Sequence, residues 1–351
     1  MCIRDRKYGH DVKATELWLR RYLKEEGLGK LAPYVHIGLT SEDVNSIAYG
    51  RMLLKGRDVL LKEFSSLVKK LARMAEKHAD TVMLARTHGV PAVPTTFGKE
   101  MAVFAWRMAV ELIQLAEAKP YGKLAGAVGS YNALHHLKPK FDWASFAKEF
   151  VESMGLKHAP LSKQTAPHEG VSRLLHHLIV LNLIIQELAR DLWLCNMLGL
   201  IRLERRGRVG SSTMPHKVNP VDLENAEGQI EVANALLMPM TYRILQTRLQ
   251  RDLSDSTIRR TIGQALAHSL IACKRLSKAL DEVRVEENRM LEEVRSHYEV
   301  LSEAVQVSLR AQGDEKGYER VLESLKELDR LKGKVGGELG ERLENLSPEN
   351  Y

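Results

Sequence analysis

Apolar residues recur at helical spacing through most of this chain, and alternating strand-like runs are scarce. Residues 41–79 open on the polar cluster Ser41, Glu42 and Asp43. They then carry Val44, Ile47, Leu53, Leu54, Val59, Leu60, Phe64 and Leu67 at helical spacing. The same periodicity predicts helices over residues 98–118, 168–203, 219–247 and 254–280. Several exceed about 20 residues, longer than the usual globular helix. The one from His168 is apolar on most of its circumference, with Leu174, Leu175, Leu178, Ile179, Leu181, Leu183, Ile184, Leu188, Leu192 and Trp193. Such a helix must be covered on nearly all sides, by its own bundle or by another copy, so an oligomer is expected. The fold class predicted is all-α: a long central helical bundle followed by a small helical C-terminal domain.

Between the helices lie loops rich in Gly, Pro, Ser and Thr, at residues 86–96, 125–132, 160–167 and 207–220. Polar loops on rigid helices are a common layout for a functional site. After Leu280 the pattern turns shorter-helical and strongly charged, with a Gly-rich break at residues 333–340. Met1 to Arg6 read unlike the start of any folded element and are set aside.

Composition narrows the function classes. Hydrophobic residues make up 44% and charged residues 28% of the 351, which suits a large core under an ordinary surface. The formal net charge is +7, yet basic and acidic residues are mixed and form no arm or stripe. A basic pocket for an anionic small molecule is expected, rather than nucleic-acid binding. Cys2, Cys195 and Cys273 form no close pair, which argues against disulfides and structural zinc and fits a reducing cytosol. The most apolar stretch, residues 174–186, is too short to span a bilayer, so no membrane role is expected. The 13 histidines show no metal-ligand spacing, so no metal is expected in the chemistry.

The most informative segment is Gly210-Ser211-Ser212-Thr213-Met214-Pro215-His216-Lys217-Val218-Asn219-Pro220. It is a polar, donor-rich loop in which Asn219 is read as capping a helix that starts at Pro220. A helix start beside Lys217 and hydroxyls suits a carboxylate or phosphate. The residues alone equally allow a plain surface loop ahead of a well-capped helix.

Gly-Ser-Ser-x-Met-Pro-x-Lys-x-Asn-Pro resembles the signature of the fumarase/aspartase superfamily, whose reaction is a β-elimination yielding fumarate or a close relative. Three more segments resemble the adenylosuccinate lyase branch. They are His36-Ile37-Gly38-Leu39-Thr40-Ser41-Glu42-Asp43, the run from Ala85 to Glu100, and Gln250-Arg251-Asp252-Leu253-Ser254-Asp255-Ser256-Thr257-Ile258-Arg259-Arg260. The run His10 to Ala14 and that from Gln164 to His168 also fit, so the resemblance covers nearly the whole chain.

The resemblance implies the roles. Ser211 is the general base, and its alkoxide must be stabilised by Lys217 and by loop N–H groups, because a serine hydroxyl is a weak base at neutral pH. His88 is the acid that protonates the departing nitrogen. His10 and Asp11 lie at the substrate, and His36 supports the site. Thr40, Ser41, Thr87, and Lys217 with Asn219 are candidates for the succinyl carboxylates, and Ser212 is a further substrate-binding residue. Gln164 and Asn225 are further substrate contacts, and Glu224 is a carboxylate able to pair with a histidine. His168 is left open between support and packing. Arg251, Ser256 and Arg260 are candidates for the nucleotide phosphate, since guanidinium forks match phosphate oxygens. For the two arginines, surface salt bridging with Asp252 and Asp255 is the plainer alternative.

The resemblance further implies a nucleotide substrate, no cofactor, a cytoplasmic homotetramer with shared active sites, and an N-terminal domain whose Arg-Tyr pair helps hold phosphate. The chain enters the pattern at about His10. Residues 1–29 are therefore read as a remnant of that domain, 30–280 as the central bundle and 281–351 as the C-terminal domain. Gly9 stands where relatives often carry a polar residue. Two competing readings are another fumarate-releasing lyase of the superfamily, such as an argininosuccinate lyase, and a non-catalytic basic helical scaffold.

Overall fold

Among the described residues, the helical periodicity is realised in five helices of 21 residues or more: α2 (Ser41–Lys77), α3 (Phe97–Glu117), α6 (Glu169–Met197), α7 (Val221–Arg243) and α9 (Ile262–Glu282). The structure is a computed structural model that describes residues 7–204, 213–214 and 216–351. The chain divides into two compact units. The first comprises Met1–Phe64, Val110–Leu183 and Gly228–Ala272, and the second comprises Ser65–Ala109, Ile184–Glu227 and Cys273–Tyr351. Among the described residues, no helix is long and apolar enough to cross a membrane.

In the first unit, α1 (Asp11–Glu25) precedes α2, and the short helices α4 (Asn132–Leu137) and α5 (Trp143–Ser153) follow α3. Strands β3 (Tyr121–Gly122) and β4 (Lys157–His158) pair in parallel. Phe64, Leu174, Leu175, Leu178 and Leu181 are buried in this unit. The polar residue in the middle of α6 has a packing function. Asn182 Nδ2 donates to Asn234 Oδ1 of α7 and to Ser269 Oγ of α9, at 2.9 Å each. All three are buried. A buried amide gains little until its partners are aligned, so the network helps fix the register of the three helices.

In the second unit, residues 86–96 are more ordered than the predicted loop. β1 (Val82–Thr87) and β2 (Val90–Thr96) form an antiparallel hairpin. Its two-residue turn is His88-Gly89, with φ of 56° and 78°. Two consecutive left-handed residues give the twist that tight hairpins favour, and Gly89 supplies one without steric cost. Pro91 and Pro94 obscured this strand in the sequence, because proline weakens any strand reading.

Three predicted helices differ from expectation, and the one expected to reach residue 247 ends at Arg243. The helix expected over 168–203 stops at Met197, Gly199 turns left-handed at φ 74°, and β5 (Ile201–Leu203) pairs antiparallel with β6 (Val283–Val285). The apolar run Leu198, Leu200, Ile201 and Leu203 is compatible with helix or strand, so periodicity alone could not place the change. The helix expected over 254–280 is two, α8 (Ser254–Arg259) and α9. At the break, Thr261 Oγ1 and Thr261 N both donate to Ile258 O, a local bond that competes with the helical ladder. The helix expected from Pro220 begins at Val221, with Pro220 O accepting from Leu223 N and Glu224 N. Pro220 itself therefore stands at the cap position that was read onto Asn219.

The C-terminal stretch of the second unit is short-helical, as expected. It holds α10 (Glu287–Ser296), α11 (Ser302–Ala311), α12 (Gly317–Glu323), α13 (Leu328–Lys332) and α14 (Gly337–Glu344). Val305, Leu309, Val321, Leu328, Leu331, Val335 and Leu343 form the common core of α11 to α14, whereas Val294 of α10 clusters with Leu84, Val300 and Leu301. The glycine-rich break at 333–340 is narrower than expected, because α14 already begins at Gly337.

Candidate active site

The first unit carries His10, Asp11, His36, Thr40, Ser41, Gln164, Arg251, Ser256 and Arg260, and the second carries Thr87, His88, Lys217, Asn219, Glu224 and Asn225. Ser211 and Ser212 lie outside the described residues.

In the first unit the organising element is the N-terminus of α2. In Thr40-Ser41-Glu42-Asp43, Thr40 N donates to Asp43 Oδ2 at 2.8 Å, one half of a capping box, and Asp43 N donates to Thr40 O at 3.0 Å. Asp43 also accepts from Ala125 N at 2.9 Å and Gly126 N at 3.1 Å, and it pairs with the Lys123 ammonium. One carboxylate thus ties the turn bearing Thr40 and Ser41 to the loop at 123–126.

His10 caps α1, with Nδ1 accepting from Lys13 N at 3.3 Å, and its Nε2 lies 3.3 Å from Ser41 Oγ. That acceptor role leaves the proton of a neutral imidazole on Nε2, facing the serine hydroxyl. Asp11 is exposed and accepts from Val12 N. His36 is left-handed at φ 68°, and its Nε2 is buried with no partner among the described residues. Gln164 donates to Ala127 O at 3.0 Å, joining the loop at 160–167 to that at 125–132. The approach is close enough that a Cβ on Gly129 would stand 2.1 Å from Ser162 O.

The candidate phosphate residues lie on and before α8. Arg251 Nη1 donates to Asp255 Oδ1 at 2.7 Å, and Arg251 Nη2 donates to Glu42 Oε1 at 3.0 Å. Arg259, absent from the phosphate candidates, is buried. It donates to Glu42 Oε1 at 3.3 Å and sits 2.9 Å from Asp255 Oδ2. Ser256 is half-buried and Arg260 exposed. His168 faces this cluster. Burial, then the Arg259 charge, pulls its pKa down to about 4, and its Nε2 has no partner among the described residues. The arrangement suits an anion, with fixed cations whose remaining N–H donors are already oriented.

In the second unit, His88 and Thr87 are exposed at the tip of the β1–β2 hairpin. A histidine with positive φ at an exposed tip has little to pack against and is free to meet a substrate. Lys217 is exposed just before α7, in a turn where its N–H donates to Met214 O at 3.0 Å. Asn219 is half-buried and Asn225 Oδ1 is buried without a partner among the described residues. Glu224 accepts from Trp193 Nε1 at 3.2 Å rather than from a histidine.

Residues 5–233 match the family described as Lyase, and residues 247–351 match the one described as Adenylosuccinate lyase C-terminal. The adenylosuccinate lyase of Haemophilus influenzae is 40% identical over 333 residues, covering 93% of this chain and 72% of its own length. That of Escherichia coli K12 is 37% identical over 365 residues, covering 99% and 79%. The chain belongs to the adenylosuccinate lyase family. Family members are carbon–nitrogen lyases, and this chain is one of that class. The backbone fold is also found in 3-carboxy-cis,cis-muconate lactonizing enzyme from Pseudomonas putida, with a TM-score of 0.78 at 22% identity over 100% of this chain and 81% of that one.

Glu42, Asp43, Lys123 and Arg259 stand in contact with the candidate residues or with one another but were not among the candidates. The adjacent acids Glu42-Asp43 after Thr40-Ser41 were visible as a cap cluster, but their partners lie 80 to 217 residues away in sequence.

Proposed function

We propose that this chain removes fumarate from adenylosuccinate by β-elimination, leaving AMP, and acts in the same way on the succinyl-carboxamide ribotide of purine synthesis. A base takes one proton from Cβ of the succinyl group. The resulting carbanion is delocalised into the carboxylate on that carbon, and its electron pair then forms the C=C bond as the C–N bond breaks. The purine-side nitrogen keeps the bonding pair and receives a proton. Ser211 is the base, His88 the acid, and Lys217 the cation that favours the dianion-like intermediate. Thr40, Ser41, Thr87 and Asn219, with Lys217, hold the carboxylates, and Ser212 is a further substrate contact. Arg251, Ser256 and Arg260 hold the phosphate, while His10, Asp11, Gln164 and Asn225 line the remainder and His36 and Glu224 support it.

The observation that carries this reading is the ion pair from Glu42, beside Thr40 and Ser41, to Arg251. It links a carboxylate-binding turn to a cationic segment of the kind a phosphorylated succinyl substrate requires. The phosphate residues also separate this reading from lyases whose substrates carry none.

The working form is a homotetramer in the cytoplasm whose active sites are completed by neighbouring copies. Residues 1–29, 30–280 and 281–351 act as N-terminal, bundle and C-terminal parts. Support comes from apolar side chains left uncovered on long helices, including Trp106 and Ile113 on α3 and Leu183 and Met197 on α6. The assay follows ultraviolet absorbance as adenylosuccinate becomes fumarate and AMP. Turnover of argininosuccinate in its place would sink the assignment.

A further inference from the structure

We infer that Glu42 is a positioning residue that holds Arg251 toward a substrate phosphate and thereby sets the preference for phosphorylated over dephosphorylated substrate. The inference rests on the reading of Arg251 as a phosphate ligand.

Glu42 is 1% exposed, yet it carries a charge on the first turn of α2. An ionised carboxylate at that depth is tolerated only when it is paired. Its Oε1 takes both guanidiniums, Arg251 at 3.0 Å and Arg259 at 3.3 Å, while Oε2 has no partner among the described residues. Asp255 closes the ring from the other side, at 2.7 Å from Arg251 and 2.9 Å from Arg259. Two cations and two anions leave the cluster neutral.

The two carboxylates are not equivalent. Asp255 lies four residues from both arginines, so it orders the segment 251–259 locally. Glu42 is 209 residues from Arg251 and connects that segment to the turn of Thr40 and Ser41. The turn itself does not depend on Glu42, because Asp43 already fixes it through Thr40 N, Ala125 N, Gly126 N and Lys123. What Glu42 adds is the orientation of Arg251. That guanidinium spends one N–H on Asp255 and one on Glu42, which leaves donors for an anion in the cleft it lines with Lys163, His168, Gln246 and Thr247. Arg259 is kept in place over the Tyr49 ring, 5.3 Å from its centroid, and serves as a buttress. Without the Glu42 charge, two close guanidiniums share one carboxylate, and the more accessible Arg251 swings toward solvent.

The test compares Glu42→Gln with the wild type in the assembled protein, using adenylosuccinate, its dephosphorylated nucleoside, and inorganic phosphate as inhibitor. The variant should raise KM for adenylosuccinate about tenfold or more, with kcat little changed, and should weaken phosphate inhibition by a similar factor. On the nucleoside, kcat/KM should move by less than about threefold. A parallel loss on both substrates makes Glu42 a purely structural residue and overturns the inference, as does no change on either. A wild type that turns over both substrates equally well overturns the phosphate reading itself, before the variant is considered. If Glu42→Gln fails to assemble, Glu42→Asp, which keeps the charge and shortens the reach, is read by the same ratio with the same outcomes.

Discussion

The Asp43 carboxylate and the Lys123 ammonium form an ion pair inside the first unit, with side chains 1% and 0% exposed. Further hydrogen bonds hold the pair, since Lys123 also donates to Gly126 O at 3.0 Å and Asp43 takes three backbone N–H groups. Such a pair is costly to break from one side, because the survivor is left buried and charged. Lys123→Met should therefore cost about 3–5 kcal/mol of stability by chemical denaturation. The double variant with Asp43→Asn should cost less than the sum of the two single changes. A loss below about 1 kcal/mol for the single variant would show that the pair does not hold the turn.

His88 offers a cleaner separation of chemistry from folding, because it is exposed at the hairpin tip. Asparagine tolerates the left-handed conformation that His88 adopts, so His88→Asn should keep the turn. Turnover should fall by about 10²–10⁴-fold, the usual loss of a general acid, with the melting temperature nearly unchanged. An Asn variant retaining more than about a tenth of the activity would remove His88 from the chemistry.

The buried imidazole of His168 predicts a pH dependence of stability. Its pKa in the fold is about 4, against about 6.5 unfolded, and burial is the chief cause. The folded state therefore resists protonation. His168 adds no penalty above the unfolded value. As pH falls from about 6.5 toward about 4, the unfolded chain takes up the proton first and stability is lost, up to about 3 kcal/mol. Denaturation curves for wild type and His168→Gln, measured from pH 7.5 to 4.5, should diverge only below about pH 6.5, with the wild type falling faster. Parallel curves would mean that the imidazole is hydrated and titrates normally.

How much could be read from the chain differs between its parts. The long helices were legible because their apolar faces repeat over many turns, and α2 was placed from Ser41 with its end only two residues from expectation. The hairpin and the α6–β5 change were not, since two prolines mask the first and a continuous apolar run hides the second. At the site, motif residues such as His10 and Ser41 could be singled out, and the structure sets them 3.3 Å apart. Glu42, Lys123 and Arg259 could not, because their meaning lies in pairings made across 80 to 217 residues. A single sequence offers no local signal for a charge partner that far away.

The uncovered apolar side chains of α3 predict where copies of the chain would meet. Val103, Trp106, Val110 and Ile113 recur at helical spacing and are 37%, 69%, 44% and 58% exposed. Each Å² of apolar surface left in water forgoes about 25 cal/mol, so a stripe of this kind is stable mainly when another copy covers it. An acidic residue in such a contact would be desolvated without a partner. Trp106→Glu combined with Ile113→Glu should therefore shift the protein to smaller species by analytical ultracentrifugation. Helical circular dichroism should persist, because neither side chain lies in the core. Turnover should fall together with the assembly if neighbouring copies complete the active site. An unchanged sedimentation coefficient would show that α3 faces solvent in the working enzyme. Full activity from a dissociated monomer would instead show that each chain holds a complete site.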